Sequence, residues 1–279
     1  MTNVLIPTDF SENAWNATKY AMQFFKEEPV SFYLLHVRFN PGLYPRENAI
    51  AQGVTIAQTS SSSETETKLN EVIGKIETLF PNGHHKHYPV LELGLFVDAI
   101  KKTISERNID FIVMGTKGAS GLKEVTIGSR TGEVISRVKC PVLIVPENAE
   151  FTPTRQIVFP TDFNLHFKQK VLLTLSEVAA MHKASVNVLH CTKSDKPMSE
   201  QQQVNRDALE DFLYDIPHSF HFIDGQPIEE VLESFVDVMR IDMIAMVAKN
   251  INFFQRLLYT PKVNRISYHT KIPFLVLHE

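Results

Sequence analysis

The chain has 279 residues, 43% of them hydrophobic, and a net charge of −4 with both signs mixed along its length. That much apolar material excludes a disordered chain, and the length suits two domains of roughly 100–200 residues each. The charge balance excludes nucleic acid or an anionic membrane as a default partner, and no apolar run approaches the roughly 20 residues that cross a bilayer.

The amino terminus, "MTNVLIPTDF", shows no basic region leading into a long apolar run, so no signal peptide is expected. A short apolar run over Val4–Ile6 predicts a strand, followed by "PTDFSE" and an amphipathic helix over Ala14–Phe25. Phe32–Val37 predicts the second strand. Asn40 to Thr65, with its low-complexity "TSSSSETET", breaks the rhythm and reads as an insertion, a surface loop in preference to a lid. Ser63 and Glu66 have capping-box spacing for the next helix, expected over Thr67–Leu79. In "NGHHKHY", His84, His85 and His87 lie in a turn entering a strand, where alternation separates neighbours, so no metal site is expected. A helix over Leu95–Glu106, a strand over Phe111–Met114, a helix over Thr131–Val138 and a strand over Val142–Val145 complete the first half. Cys140 and Cys191 sit in apolar, strand-like contexts, which argues against a disulfide framework and fits a reducing cytoplasm.

The second half repeats the first. "NVLIPTDF" from Asn3 returns as "QIVFPTDF" from Gln156, 153 residues later. "FYLLHV" is echoed by "VNVLHC", the helix and strand around "DFIVMGTKG" by those around "DMIAMVAKN", and "KCPVLIVP" by "KIPFLVLH". Four matches in one order indicate a duplication. The polar, proline-bearing "PENAEFTPTRQ" separates units of 1–147 and 154–279. Apolar strands alternating with helices indicate in each unit a parallel sheet covered on both faces, with ligands expected beyond the carboxyl ends of the strands.

Among those strand-end loops, "FIVMGTKGASGLKEVTIGSRTGEVISRV" is the most specific. Gly115 and Gly118 follow a strand; Gly128 and Ser129 open a helix after nine intervening residues. Glycine admits positive φ and close approach to the backbone, while a helix start offers unpaired N–H groups and the positive end of a dipole. The hydroxyls of Ser129 and Thr131 could donate to the same anion. These features suit a phosphate chain held by amides, yet the spacing is neither that of the Walker-type loop nor that of the dinucleotide fingerprint.

The spacing Gly-x2-Gly-x9-Gly-Ser, together with "VLIPTDFSENA", "LLHV" and "CPVLIVP", resembles the universal stress protein family, and the resemblance covers both halves. It implies two tandem doubly wound α/β domains, Rossmann-like in the manner of the adenine nucleotide alpha hydrolases. Each would carry a five-stranded parallel sheet, and the last strands would join the halves as an intramolecular pseudo-dimer. It implies ATP, with Mg²⁺, in the first unit. Asp9 would contact the ribose or the metal region; Pro7, Thr8 and the Val37 backbone would border the adenine. Met114, Gly115 and Gly118 would approach the ribose and phosphates, and Gly128, Ser129, Arg130 and Thr131 would hold the phosphates. No catalytic residue is expected. A protein partner and a homodimer both remain open.

The second half departs from this pattern. Val247, Asn250, Thr260 and Pro261 stand where Gly115, Gly118, Gly128 and Ser129 stand in the first. Phe253, Phe254, Leu257, Leu258 and Tyr259 make the loop apolar, and Asp162 alone survives. One nucleotide site per chain is expected. His36 and His190 recur at matching places, which favours a structural or pocket-edge role. The chain therefore reads as a nucleotide-dependent regulatory module. The alternatives are an interaction scaffold with an incidental nucleotide and a slow ATPase.

Overall fold

In the computed structural model, the residues described are 1–38, 62–116, 129–164, 169–192, 197–226, 228–248 and 271–278. They divide into two compact units, Met1–Cys140 and Pro141–Glu279.

The first unit contains strands β1 (Thr2–Pro7), β2 (Val30–Arg38), β3 (His85–Leu93) and β4 (Phe111–Gly115), in the sheet order β3-β2-β1-β4. All three pairings are parallel. Its helices are α1 (Glu12–Phe24), α2 (Ser62–Leu79), α3 (Phe96–Arg107) and α4 (Ser129–Arg137). β1 lies between β2 and β4 and has both faces covered, so Val4, Leu5 and Ile6 are fully buried. At about 1.5–3 kcal/mol for each such side chain, this strand is a main anchor of the core. α1 starts at Ser11, whose Oγ accepts from the Ala14 N–H at 3.2 Å. Its apolar face presents Phe24, which meets Phe25 edge-on at 4.9 Å; Phe25 in turn meets Phe111 at 5.6 Å.

The second unit contains β5 (Val142–Val145), β6 (Gln156–Pro160), β7 (Ser185–Thr192), β8 (His218–Asp224), β9 (Met243–Val247) and β10 (Phe274–Leu277). The order is β5-β10-β9-β6-β7-β8. β10, β9, β6, β7 and β8 are mutually parallel, as the fold class requires, and β5 joins β10 antiparallel, Leu143 opposite Leu275. Its helices are α5 (Gln169–His182), α6 (Glu200–Phe212) and α7 (Ile228–Met239).

The duplication extends to backbone detail. Asp110 accepts from the Asn3 N–H at 2.8 Å, and Asp242 from the Gln156 N–H at 3.0 Å, which seats the first strand of each repeat. Asn108 and Arg240 close the preceding helices with left-handed backbone, φ 48° and 51°.

Two expectations need correction. α2 begins at Ser62, so Ser63 lies inside it and its carbonyl accepts from the Thr67 hydroxyl; no capping box forms there. Residues 62–65 are accordingly the first turn of α2, while 39–61 of the expected insertion lie outside the described residues. A capping box closes α6 instead: Ser199 Oγ accepts from the Gln202 N–H, and the Gln202 side chain accepts from the Ser199 N–H. In the histidine cluster, alternation puts His85 and His87 on one face. His85 Nε2 bonds the Phe25 carbonyl at 3.0 Å, and His87 stacks on Phe32. Burial lowers the pKa of both.

Candidate functional site

The connections β1→β2→β3 run outward to one side of β1, and the chain returns to place β4 on its other side. The order thus reverses between β1 and β4, and the loops after these strands flank the crevice where open α/β sheets bind ligands. The Pro7–Ser11 turn lies on one side and Gly115, at the end of β4, on the other.

The turn after β1 is tightly specified. The Thr8 N–H donates to the Leu35 carbonyl at 2.8 Å, which ties the turn to β2. Thr8 Oγ1 accepts from the Phe10 N–H at 3.1 Å, and Asp9 Oδ1 from the Ser11 N–H at 3.1 Å. These side-chain caps hold Phe10 at φ 63°, a left-handed conformation that costs a non-glycine residue about 1 kcal/mol or more. The Phe10 ring then stacks on His36, with centroids 4.6 Å apart. His36 Nδ1 lies 2.8 Å from the Thr8 carbonyl. A carbonyl only accepts, so Nδ1 carries the proton and Nε2 keeps its lone pair in the neutral ring. Burial lowers the His36 pKa; the Thr8 carbonyl and Asp9 oppose that, and Arg130 and Arg38 reinforce it. Arg130, in the first turn of α4, is therefore close enough to act on the β1 turn. It is exposed, and its guanidinium lies 5.3 Å from the centre of the Phe96 ring.

The structure brings Pro7, Thr8 and Asp9 together at the end of β1, with Val37 near the end of β2 and Met114 and Gly115 at the end of β4. Ser129, Arg130 and Thr131 open α4. Gly118 and Gly128 lie outside the described residues. Two roles change. The Thr131 hydroxyl donates to the Gly115 carbonyl at 2.9 Å, and the residue is buried. Its proton is spent tying α4 to β4, which leaves only its backbone amide to serve an anion. A Cβ on Gly115 would sit 3.1 Å from the Asn13 carbonyl, so the close approach of the start of α1 already requires glycine here.

Phe10, Asn13 and Phe96 were missing from the set expected from sequence. Phe10 left a signal, since it belongs to the repeated "PTDF". Asn13 and Phe96 left none, because their roles depend on contacts distant in sequence.

The second unit rebuilds the same turn and then covers it. The Thr161 N–H bonds Leu189, Thr161 Oγ1 accepts from Phe163, Asp162 Oδ1 accepts from Asn164, and Phe163 has φ 55°. His190 Nδ1 lies 2.8 Å from the Thr161 carbonyl. Here, however, α6 reaches over the turn. Gln202 donates to the Asp162 carbonyl at 2.8 Å, and Asn205 to the Phe163 carbonyl at 2.7 Å. Phe163 is fully buried against Phe220, Phe222 and His190. Val247, at the position of Gly115, is buried at the end of β9. Asn250, Thr260, Pro261 and the apolar loop residues lie outside the described residues.

A doubly wound α/β architecture with a strand-end crevice at the order reversal defines the class. The family model for the universal stress protein family matches residues 1–146, and the chain belongs to that family. It is 31% identical over 150 residues to universal stress protein MJ0577 of Methanocaldococcus jannaschii, a match covering 51% of this chain and 93% of that one. It is 26% identical over 159 residues to universal stress protein YxiE of Bacillus subtilis, covering 51% and 97%. Among solved structures, a universal stress protein from Archaeoglobus fulgidus superposes with a TM-score of 0.67 at 18% identity, covering 99% of this chain and 98% of that one. This last likeness concerns the fold. No described helix is long and apolar enough to cross a membrane.

Proposed function

We propose that this universal stress protein is a nucleotide-dependent regulatory module with a single ATP site, in the repeat spanning 1–147. The observation that carries the reading is the motif Gly115-x2-Gly118-x9-Gly128-Ser129 in the sequence, whose first residue ends β4, the strand beside the order reversal of the first sheet, and whose last opens α4. The residues fit the group in charge. Arg130 offers an exposed cation at the helix start, and in this reading the amides of Ser129, Arg130 and Thr131 meet the phosphates there. Asp9 supplies one carboxylate, which suffices for Mg²⁺ when the remaining ligands are phosphate oxygens and water. ATP supplies the charge that these groups read. Pro7, Thr8 and the backbone at Val37 border the base, and Met114, Gly115 and Gly118 the ribose and phosphates. A ligand of this kind regulates only through its differential affinity for two states of the protein.

The repeat at 154–279 binds no ATP in this reading, because its β6 turn is covered by α6 and aromatic rings. That covering also favours the second reading, a scaffold whose partner contacts persist without nucleotide. β5 and β10, the last strands of the two repeats, pair antiparallel within the second compact unit. Cys140 and Cys191 are not joined in a disulfide, in keeping with the cytoplasmic setting we propose.

Calorimetry of the full chain with ATP, ADP and AMP, with and without Mg²⁺, tests the proposal. One ATP per chain, lost in Gly118→Ala, is expected. Two sites would refute the asymmetry, and no binding would refute the nucleotide.

A further inference from the structure

The two units differ at their outer sheet edges. β3 and β8 are the terminal strands among the described elements. In β3 the His84 carbonyl accepts from Val30, and the Gly94 N–H donates to Arg38. Even-numbered residues therefore face β2, and odd-numbered ones turn their backbone groups outward. Pro89 falls in the outward set and removes the donor at the middle of that edge, a known means of blocking strand addition. In β8 the Pro217 carbonyl accepts from Val186, and the Gly225 N–H donates to Thr192. The outward residues are thus His218, Phe220, Phe222 and Asp224, and each keeps its N–H. Phe220 holds the register place of Pro89: Leu34 pairs with Pro89, and its repeat counterpart Val188 pairs with Phe220.

The same four side chains share one face. The His218 and Phe220 rings are 5.7 Å apart, and those of Phe220 and Phe222 are 6.4 Å apart and stacked. Phe222 is 46% exposed, and Asp224 is exposed.

We propose that β8 pairs antiparallel with β8 of a second copy of this chain, about a two-fold axis at His221. In that register outward residues meet outward residues, and each opposing pair exchanges two N–H···O bonds. Phe220 faces Phe222 of the second copy, and His218 faces its Asp224. The segment "HSFHFID" is thus complementary to itself in both shape and charge. A slip by two residues sets Phe220 against Asp224 and His218 against Gln226; it keeps a single Phe222–Phe222 pair in place of two aromatic pairs and loses both charge pairs. The polar ends are prepared within the chain. Thr192 donates to Asp224 Oδ1 at 2.7 Å, and His218 Nδ1 donates to the Ile216 carbonyl at 2.8 Å, so that the second proton of an imidazolium, on Nε2, is the one that meets the carboxylate.

Sedimentation equilibrium of the full chain without nucleotide, across a hundredfold range of concentration, tests this surface independently of the ATP site. The wild type is expected to dimerise. Phe220→Pro gives β8 the guard that β3 already has and should yield monomer. Asp224→Lys should weaken the dimer about tenfold, since two symmetric pairs are lost together, and the double variant His218→Asp, Asp224→Lys should restore it. A wild type that stays monomeric overturns the proposal. So does a dimer that persists in Phe220→Pro with unchanged circular dichroism, or a double variant that recovers nothing. If Phe220→Pro fails to fold, the charge variants decide.

Discussion

The turns after β1 and β6 are built from the same four residues, Pro-Thr-Asp-Phe, with the same side-chain caps, the same left-handed phenylalanine and the same histidine under the ring. They differ in what lies above. Phe10 is half-buried on His36, whereas Phe163 is sealed by two phenylalanines and by amide side chains of α6. A local motif therefore fixes a backbone shape and not a ligand. The neighbouring helix and edge strand decide whether that shape remains a pocket wall or becomes core.

The contrast can be broken or sharpened in order of expected effect. Phe163→Ala empties a fully enclosed site and should cost about 3–4 kcal/mol in urea denaturation, against about 1–2 kcal/mol for Phe10→Ala. Equal losses would erase the distinction. Gly115→Val drives a side chain into the Asn13 carbonyl and should cost about 2 kcal/mol while abolishing ATP binding in calorimetry, although Val247 is accepted at the matching place. Asn205→Ala leaves the buried Phe163 carbonyl without its donor, with a loss of about 1–2 kcal/mol in the same denaturation experiment. The smallest effect concerns acid. Burial, helped by Arg155, lowers the His182 pKa to about 4. The unfolded chain, with an ordinary pKa near 6.5, then binds the proton more readily than the folded one. Stability should fall as pH drops from about 6.5 toward 4, by an amount of order 1 kcal/mol once solvent screening is allowed for. His182→Gln should flatten that slope in thermal melts taken at several pH values.

Much of this was legible in the residues. Nearly continuous, β-branched apolar runs such as Val4–Ile6 and Val142–Val145 read as strands covered on both sides, and the repeated "PTDF" exposes the duplication in the sequence itself. The start of α2 was misplaced because "TSSSSETET" offers several hydroxyls of capping type, and local spacing does not choose among them. Ser199 and Gln202 carried the capping-box spacing as well, but within a run of glutamines that hid it. The roles of Asn13 against Gly115, and of Asn205 against Phe163, depend on elements far apart in sequence, which periodicity does not report. The spent hydroxyl of Thr131 belongs to the same class: its residue type suited an anion, and only its position showed that a carbonyl had claimed it.

The antiparallel pairing of β5 with β10 has a consequence for biosynthesis. Val142 and Val276 meet in the sheet although about 130 residues separate them. At a translation rate of roughly 5–20 residues per second, that ladder waits on the order of ten seconds after β5 is made. During that interval a short, wholly apolar strand has not met its antiparallel mate, so slowing translation over 146–273 should increase capture of the nascent chain by chaperones.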